Sequence, residues 1–148
     1  MKTILLADDD ESVRKMVARV LESAGYKVLL AGSGREAAAK CRGGRPDLLL
    51  LDLRMPEQGG WETFEHINHL APLTPIIVIT ALPNQYEQAF QRGIDALMEK
   101  PLDLPLLLGT IETLLEESEQ QRTRRLTDRN FATAYLAPVN GTVPGMSR

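Results

Sequence analysis

The sequence is poor in the residues that build covalent frameworks and closed metal centres. It has one cysteine, Cys41, and two histidines, His66 and His69, among 148 residues. A disulfide scaffold is excluded, and no Cys/His spacing fits a zinc module. The histidines stand three apart on a stretch of helical period, where a solvated helix face accounts for them, and Cys41 fits a small core position. Aromatics make up only 5% of the chain. Trp61, Phe64, Tyr86 and Phe90 occur at spacings that make them core or helix-face residues rather than a ligand cage. No long hydrophobic run is present. The apolar start, Met1 to Ala7, meets Asp8, Asp9 and Asp10 at once and is too short for a signal peptide or a membrane span. Basic residues are also in deficit, with a net charge of −3. Residues 1–119 hold 12 Lys and Arg against 19 Asp and Glu, a balance of −7, whereas residues 120–148 hold 5 against 1, a balance of +4. An acidic body opposes nonspecific binding to DNA, because neutralising phosphates needs a basic face. With 43% hydrophobic and 25% charged residues, the chain can bury an ordinary globular core. The expected setting is a reducing cytoplasm with no membrane contact.

Short apolar runs alternate with segments of helical period. Lys2–Ala7 reads as a strand, and Ser12–Ala24 places Val13, Met16, Val17, Val20 and Leu21 on one stripe of a helix. Gly25 stands where a helix end favours a left-handed residue, and Tyr26–Ala31 reads as a second strand. A short Ala-rich helix follows from Gly34 to Cys41. Leu48-Leu49-Leu50-Leu51 is continuously apolar, the pattern of a strand buried on both faces and therefore central. A turn at residues 55–60 leads to a helix with Trp61, Phe64 and Ile67, and Pro75–Thr80 is another buried strand. A helix from Gln85 to Arg92, a strand from Ala96 to Glu99 and a helix begun by Asp103 and Pro105 complete the series. Five strands alternating with five helices predict a doubly wound α/β fold, a parallel sheet with helices on both faces.

In such sheets chemistry gathers beyond the carboxyl ends of the strands. The residues there are Asp8, Asp9 and Asp10 after the first strand, Asp52 at the third, Thr80 at the fourth and Lys100 at the fifth. Clustered carboxylates repel unless something positive sits among them. Lys100 is one candidate and a divalent cation the other. Mg2+, which takes oxygen ligands and keeps several waters, suits Asp8, Asp9 and Asp52. An Asp flanked by a metal, a lysine and a hydroxyl is also a plausible nucleophile for phosphoryl transfer. Capping of the first helix is the competing role for the Asp triplet and the better one for Asp10.

The ordered set Ile4-Leu5-Leu6-Ala7-Asp8-Asp9-Asp10, Leu51-Asp52-Leu53-Arg54-Met55-Pro56 with Gly60, Ile79-Thr80-Ala81 and Glu99-Lys100-Pro101 resembles the receiver domain of two-component response regulators, the CheY-like superfamily, over residues 2 to 118. The resemblance implies a five-stranded flavodoxin-like sheet of order 2-1-3-4-5. It implies Asp52 as phosphoacceptor from a sensor histidine kinase or phosphotransfer protein, with switching of a downstream protein partner. It also implies Asp9, Asp52 and the backbone carbonyl of Arg54 as Mg2+ ligands, Asp8 acting mainly through water, Lys100 pairing with the phosphoryl group and Thr80 as switch hydroxyl. Ala81 would leave the phosphoryl group accessible, Arg54 and Leu82 would flank it, and a cis bond would precede Pro101. Such a protein is a signalling module rather than an enzyme acting on other substrates. A phosphatase of the haloacid dehalogenase type also uses a strand-end Asp, but it needs a second Asp where this chain has Arg54.

Two departures stand out. The switch position three residues before Lys100, commonly aromatic in receivers, is Leu97, and Gly59 replaces the family's common acidic residue before the loop glycine. A phosphorylation-independent adaptor on the same fold is the alternative reading, against which the complete acidic pocket argues. Residues 119–148 carry Arg122, Arg124, Arg125 and Arg129, then Phe131, Tyr135 and Leu136, then Pro138, Gly141, Pro144 and Gly145. This stretch is too short for a DNA-binding output domain and is expected to be a solvated helix extension or a partly disordered linker. A homodimer is left open.

Overall fold

A computed structural model describes residues 1–55 and 59–139 of the chain. The elements follow one another as β1 (Thr3–Ala7), α1 (Glu11–Ser23), β2 (Lys27–Ala31), α2 (Gly34–Gly44), β3 (Leu48–Asp52), α3 (Gly60–Leu70), β4 (Ile76–Thr80), α4 (Tyr86–Gln91), β5 (Ala96–Glu99), α5 (Leu104–Glu116), α6 (Glu119–Thr127) and β6 (Ala134–Leu136). All strand pairs are parallel, and the order across the sheet is β2-β1-β3-β4-β5-β6. The five expected strands stand in the expected order, and a sixth that the sequence reading did not foresee extends the sheet beyond β5. The expected turn after Asp52 falls partly on residues 56–58, and Gly141, Pro144 and Gly145 fall on residues 140–148. Both stretches lie outside the described residues. No helix among the described residues is long and apolar enough to cross a membrane.

The run Leu48–Leu51 forms the middle of the molecule because its side chains alternate between two cores. Leu49 and Leu51 join Leu5, Ala7, Phe64, Ile67 and Val78 on one face of the sheet. Leu48 and Leu50 join Ile4, Leu6, Leu21, Ile77 and Ile111 on the other. At about 1.5–3 kcal/mol for each fully buried aliphatic side chain, these strands supply much of the drive to fold. They also hold the strand ends in fixed register, Ala7 beside Leu51 and Asp52 beside Ile79.

Local signals set the helix ends. Asp10 caps α1 by accepting from the Ser12 and Val13 amides, Asp103 caps α5 through the Leu106 amide, and Gly25 takes a φ of 97°. The stripe on α1 differs in one place from the expected one. Met16 is 47% exposed, while Val17, Ala18 and Leu21 face the core. Cys41 is buried, and His66 and His69 are exposed.

The C-terminal segment departs most from expectation. Arg122 is not solvated. It lies buried on α6, with its guanidinium forked onto Asp95 at 2.5 and 2.9 Å, and Asp95 also accepts from Arg125 at 2.5 Å and from the Ile76 amide at 2.9 Å. Glu117 completes this cluster through Arg125 at 2.8 and 3.0 Å. A buried carboxylate is tolerated when charge and hydrogen bonds are both satisfied, as they are here. Such a network ties α6 to the amino ends of β4 and β5 and lets the chain return alongside β5 as β6.

Gly60 marks where the loop after Asp52 closes. Its amide donates to the Leu53 carbonyl at 3.1 Å, and a Cβ there would lie 2.3 Å from Leu53 Cα. Any side chain must push the backbone of Leu53 aside. Gly60→Ala should therefore lower the unfolding free energy by about 1–3 kcal/mol, measured by urea titration; an unchanged midpoint and slope would show that the loop accommodates a methyl group.

Candidate functional site

The parallel register sends every strand's carboxyl end to the same edge, and the polar residues singled out there meet as a group. Asp8 follows β1, is fully buried, and is fixed from several sides. Its amide donates to the Ala31 carbonyl at 3.0 Å, its Oδ1 accepts from the Asp10 amide at 2.9 Å, and its carbonyl accepts from Arg14 at 2.5 Å. Asp52, the last residue of β3, is 2% exposed, and its Oδ1 accepts from the Arg54 amide at 3.0 Å. Lys100 joins the two carboxylates, with Nζ 2.9 Å from Asp8 Oδ2 and 3.2 Å from Asp52 Oδ2. Exposed Asp9 completes the set. Asp8, Asp9 and Asp52 each offer a carboxylate oxygen, all within 4.8 Å of one another.

Thr80, at the end of β4, is buried, and its Oγ1 accepts from the Leu82 amide at 2.9 Å. Its carbonyl accepts from the Lys100 amide at 2.8 Å, so the hydroxyl-bearing strand and the lysine-bearing strand are stitched together at their tips. Ala81 and Arg54 are exposed beside the pocket, and Leu82 packs partly against the core. The Lys100–Pro101 bond is cis. Leu97 is buried in the core beneath α4 rather than standing at the surface. Asp10 takes the capping role.

The surroundings of Asp52 disfavour its ionised form. Burial pushes the Asp52 carboxyl up to about 6 from an ordinary 3.8, and Asp8 adds to the rise, while the Arg54 amide and Lys100 oppose it. Burial alone would pull the Lys100 ammonium down, but the Asp8 and Asp52 carboxylates outweigh that and hold it above its ordinary value. The pocket is thus an oxygen-rich, anionic cleft with a single ammonium inside it, a composition suited to a hard divalent cation and to a phosphoryl group.

Some contacts were not foreseen from sequence. The Arg14 contact to the Asp8 carbonyl comes from a helix residue that periodicity marks only as polar. Tyr135 of β6 donates to Glu99, the neighbour of Lys100; no motif singles it out, because it reaches this edge only through the sixth strand.

A doubly wound parallel sheet with a carboxylate and lysine pocket on its carboxyl edge defines the structural class. Residues 4–112 match the sequence profile of the response regulator receiver domain. The response regulator MprA of Mycobacterium leprae (strain TN) is 34% identical over 142 residues, covering 95% of this chain and 62% of that protein. The chain therefore spans less than two thirds of the length of the curated relatives it matches. Among solved structures, a CheY-like receiver domain protein from Methanospirillum hungatei JF-1 superposes with a TM-score of 0.76 at 28% identity, over 84% of this chain and 98% of that one. TrrA from Thermotoga maritima, solved in complex with Mg2+ and BeF, superposes with a TM-score of 0.72 at 29% identity, over 77% and 99%. The chain belongs to the response regulator receiver domain family, the signalling modules of two-component systems.

The raised Asp52 value has a definite consequence for stability. Between about pH 4 and pH 6 Asp52 holds more proton in the folded chain than in the unfolded one, so its contribution to the stability of the metal-free protein falls as pH rises through that window. Asp52→Asn removes this loss. The melting temperature of the variant minus that of the parent, both in chelator, should grow from pH 4 to pH 7; a constant difference would mean that the Asp52 carboxylate is not under strain.

Proposed function

We propose that this chain is a phosphoacceptor receiver that takes a phosphoryl group onto Asp52 from a histidine kinase or phosphotransfer protein and changes partner binding as a result. The observation that carries this reading is the position of Lys100 Nζ, within hydrogen-bond reach of both Asp8 and Asp52 inside an oxygen-only donor set. Asp52 is taken as the acceptor because it ends the central strand with its carboxylate fixed by the Arg54 amide and Lys100, between two residues of separate loops, Arg54 and Ala81, that stay exposed. With a carboxyl value of about 6, it is largely ionised at neutral pH and ready to attack. An Asp52 carboxylate oxygen bonds to phosphorus, the bond from phosphorus to the donor's imidazole nitrogen breaks, and its electron pair stays on that nitrogen.

Lys100 then exchanges a carboxylate contact for the transferred oxygens, and the Thr80 hydroxyl turns to them from its bond with Leu82. The donor set fits Mg2+. Asp9, Asp52 and the Arg54 carbonyl would hold it and Asp8 would orient its waters, and the bound ion would neutralise charge shared by nucleophile and phosphoryl group. Residues that the reading makes catalytic act only on the chain's own phosphorylation and dephosphorylation. A cytoplasmic setting and an upstream kinase follow from the same reading.

Incubation with acetyl phosphate should label the parent protein only when Mg2+ is present. Asp52→Asn should carry no label, and Asp9→Ala should lose most of it. In parallel, Mg2+ should raise the melting temperature of the parent but not of Asp9→Asn. Undiminished labelling of Asp52→Asn would overturn the assignment.

The lifetime of the phosphorylated state follows from what flanks it. Leu82 offers no hydrogen bond to an attacking water, and Arg54 is long and cationic, fitted to lie against phosphoryl oxygens rather than to orient water. Hydrolysis should be slow. The double substitution Arg54→Asn with Leu82→Glu should speed loss of label in a pulse-chase by about tenfold, equivalent to about 1.4 kcal/mol in the barrier. An unchanged rate would show that these side chains do not control water.

A further inference from the structure

The acidic pocket does not account for the C-terminal segment, which is built too carefully to be a passive linker. Its two ends are pinned to opposite ends of β5. At the amino end, Arg122 and Arg125 grip Asp95, the Ala134 amide donates to the Asp95 carbonyl at 3.0 Å, and Thr133 Oγ1 donates to the Ile94 carbonyl at 2.7 Å. At the carboxyl end, Tyr135 donates to Glu99 and the Val139 amide donates to the Pro101 carbonyl at 3.2 Å. These last two contacts bracket Lys100. The segment thereby covers the edge that β5 would otherwise expose, a row of unpaired backbone groups ready to pair with another strand.

The same segment is tied to α4. Tyr86, the first residue of that helix, donates its hydroxyl to the Thr133 carbonyl at 2.7 Å, and its ring meets that of Tyr135 edge to face at 6.2 Å. In register, Tyr135 stands beside Leu97, so an aromatic ring supplied by the sixth strand lies next to the position where β5 carries none. α4 is a short helix: six residues, no side-chain cap, and only Ala89 buried. It is also joined to the pocket, since the loop before it begins with the Leu82 amide bound to Thr80 Oγ1.

We propose that residues 128–139 act as an internal latch on the β5 edge, and that phosphorylation of Asp52 loosens it through Thr80, the loop before α4, and Tyr86. The proposal rests on the phosphoacceptor reading. When the Thr80 hydroxyl turns to the phosphoryl oxygens, the Leu82 amide loses its partner and the loop moves. Lightly anchored α4 moves with it, and Tyr86 leaves the Thr133 carbonyl. The latch then loses its tie to α4 and keeps only its own contacts to β5 and the arginine anchor before it, so the β5 edge opens more readily to an extended segment of a partner. Because coupling between two sites is reciprocal, weakening the latch must favour the phosphorylated state by the same factor that phosphorylation weakens the latch.

Hydrogen exchange at the Ala134 and Val139 amides of the full chain tests this, with acetyl phosphate and Mg2+ and with label measured on the same sample. Exchange at both should quicken by about tenfold in labelled protein, within the usual range of allosteric coupling, and should not change in Asp52→Asn. Tyr86→Phe, which removes only the donor to Thr133, should raise exchange at these amides without phosphodonor and increase the labelled fraction several-fold. Labelled protein whose two amides exchange no faster would overturn the latch and leave the phosphoacceptor reading standing. Faster exchange in Tyr86→Phe with an unchanged labelled fraction would overturn the coupling. A parent protein that takes no label would overturn both.

Discussion

Two buried carboxylates share one ammonium at the end of the sheet, and the rest of the structure is arranged around keeping them there. In a looser protein water would screen the two carboxylates and they would drift apart. Here Asp8 is fixed by its own backbone contacts to Ala31 and Arg14, Asp52 by the end of a strand buried on both faces, and Lys100 by a backbone bond to Thr80. The aliphatic core on the two faces of β3 supplies the rigidity that makes this imbalance tolerable. A pocket held in that state favours whatever adds positive charge and accepts oxygen ligands, and this is the physical basis for reading it as a site for a divalent cation and a phosphoryl group.

Much of this was legible in the chain because the signals are local. Four consecutive leucines name the central strand, Asp10 and Asp103 announce helix starts, Gly25 marks a left-handed helix exit, and the strand-end polar residues follow each apolar run directly. Once the sheet order is right, Asp8, Asp52, Thr80 and Lys100 have nowhere else to go. Met16 shows the limit of such reading. Its spacing matches the apolar stripe of α1, yet it stays 47% exposed while Val17, Ala18 and Leu21 are buried and Val13 packs partly against the core, and no pattern within a single helix measures how wide the buried stripe is.

The C-terminal segment was not legible for a different reason. Arg122 and Arg125 look solvated in a polar run, and Asp95 looks like a turn residue before a strand. Their pairing links positions 27 and 30 residues apart, and only the folded sheet brings them into contact. Strand β6 has three residues, one of them a tyrosine, too few to show an alternating pattern. The aromatic missing at Leu97 and the tyrosine arriving at the neighbouring register position belong together in space but not in sequence. Receiver function and this added strand therefore rest on different kinds of information, the first on motifs and the second on long-range charge pairing.

The central claim is that the Asp52 carboxylate itself forms the bond to phosphorus. An aspartyl phosphate is an acyl phosphate, and borohydride reduces it to the alcohol, leaving homoserine where the acid stood. Treatment of the intact chain with acetyl phosphate and Mg2+, followed by borohydride and peptide mass measurement, locates the modified residue directly. The account predicts homoserine at position 52 and none in a parallel sample with chelator; homoserine at position 8 or 9, or none at any position, would contradict it.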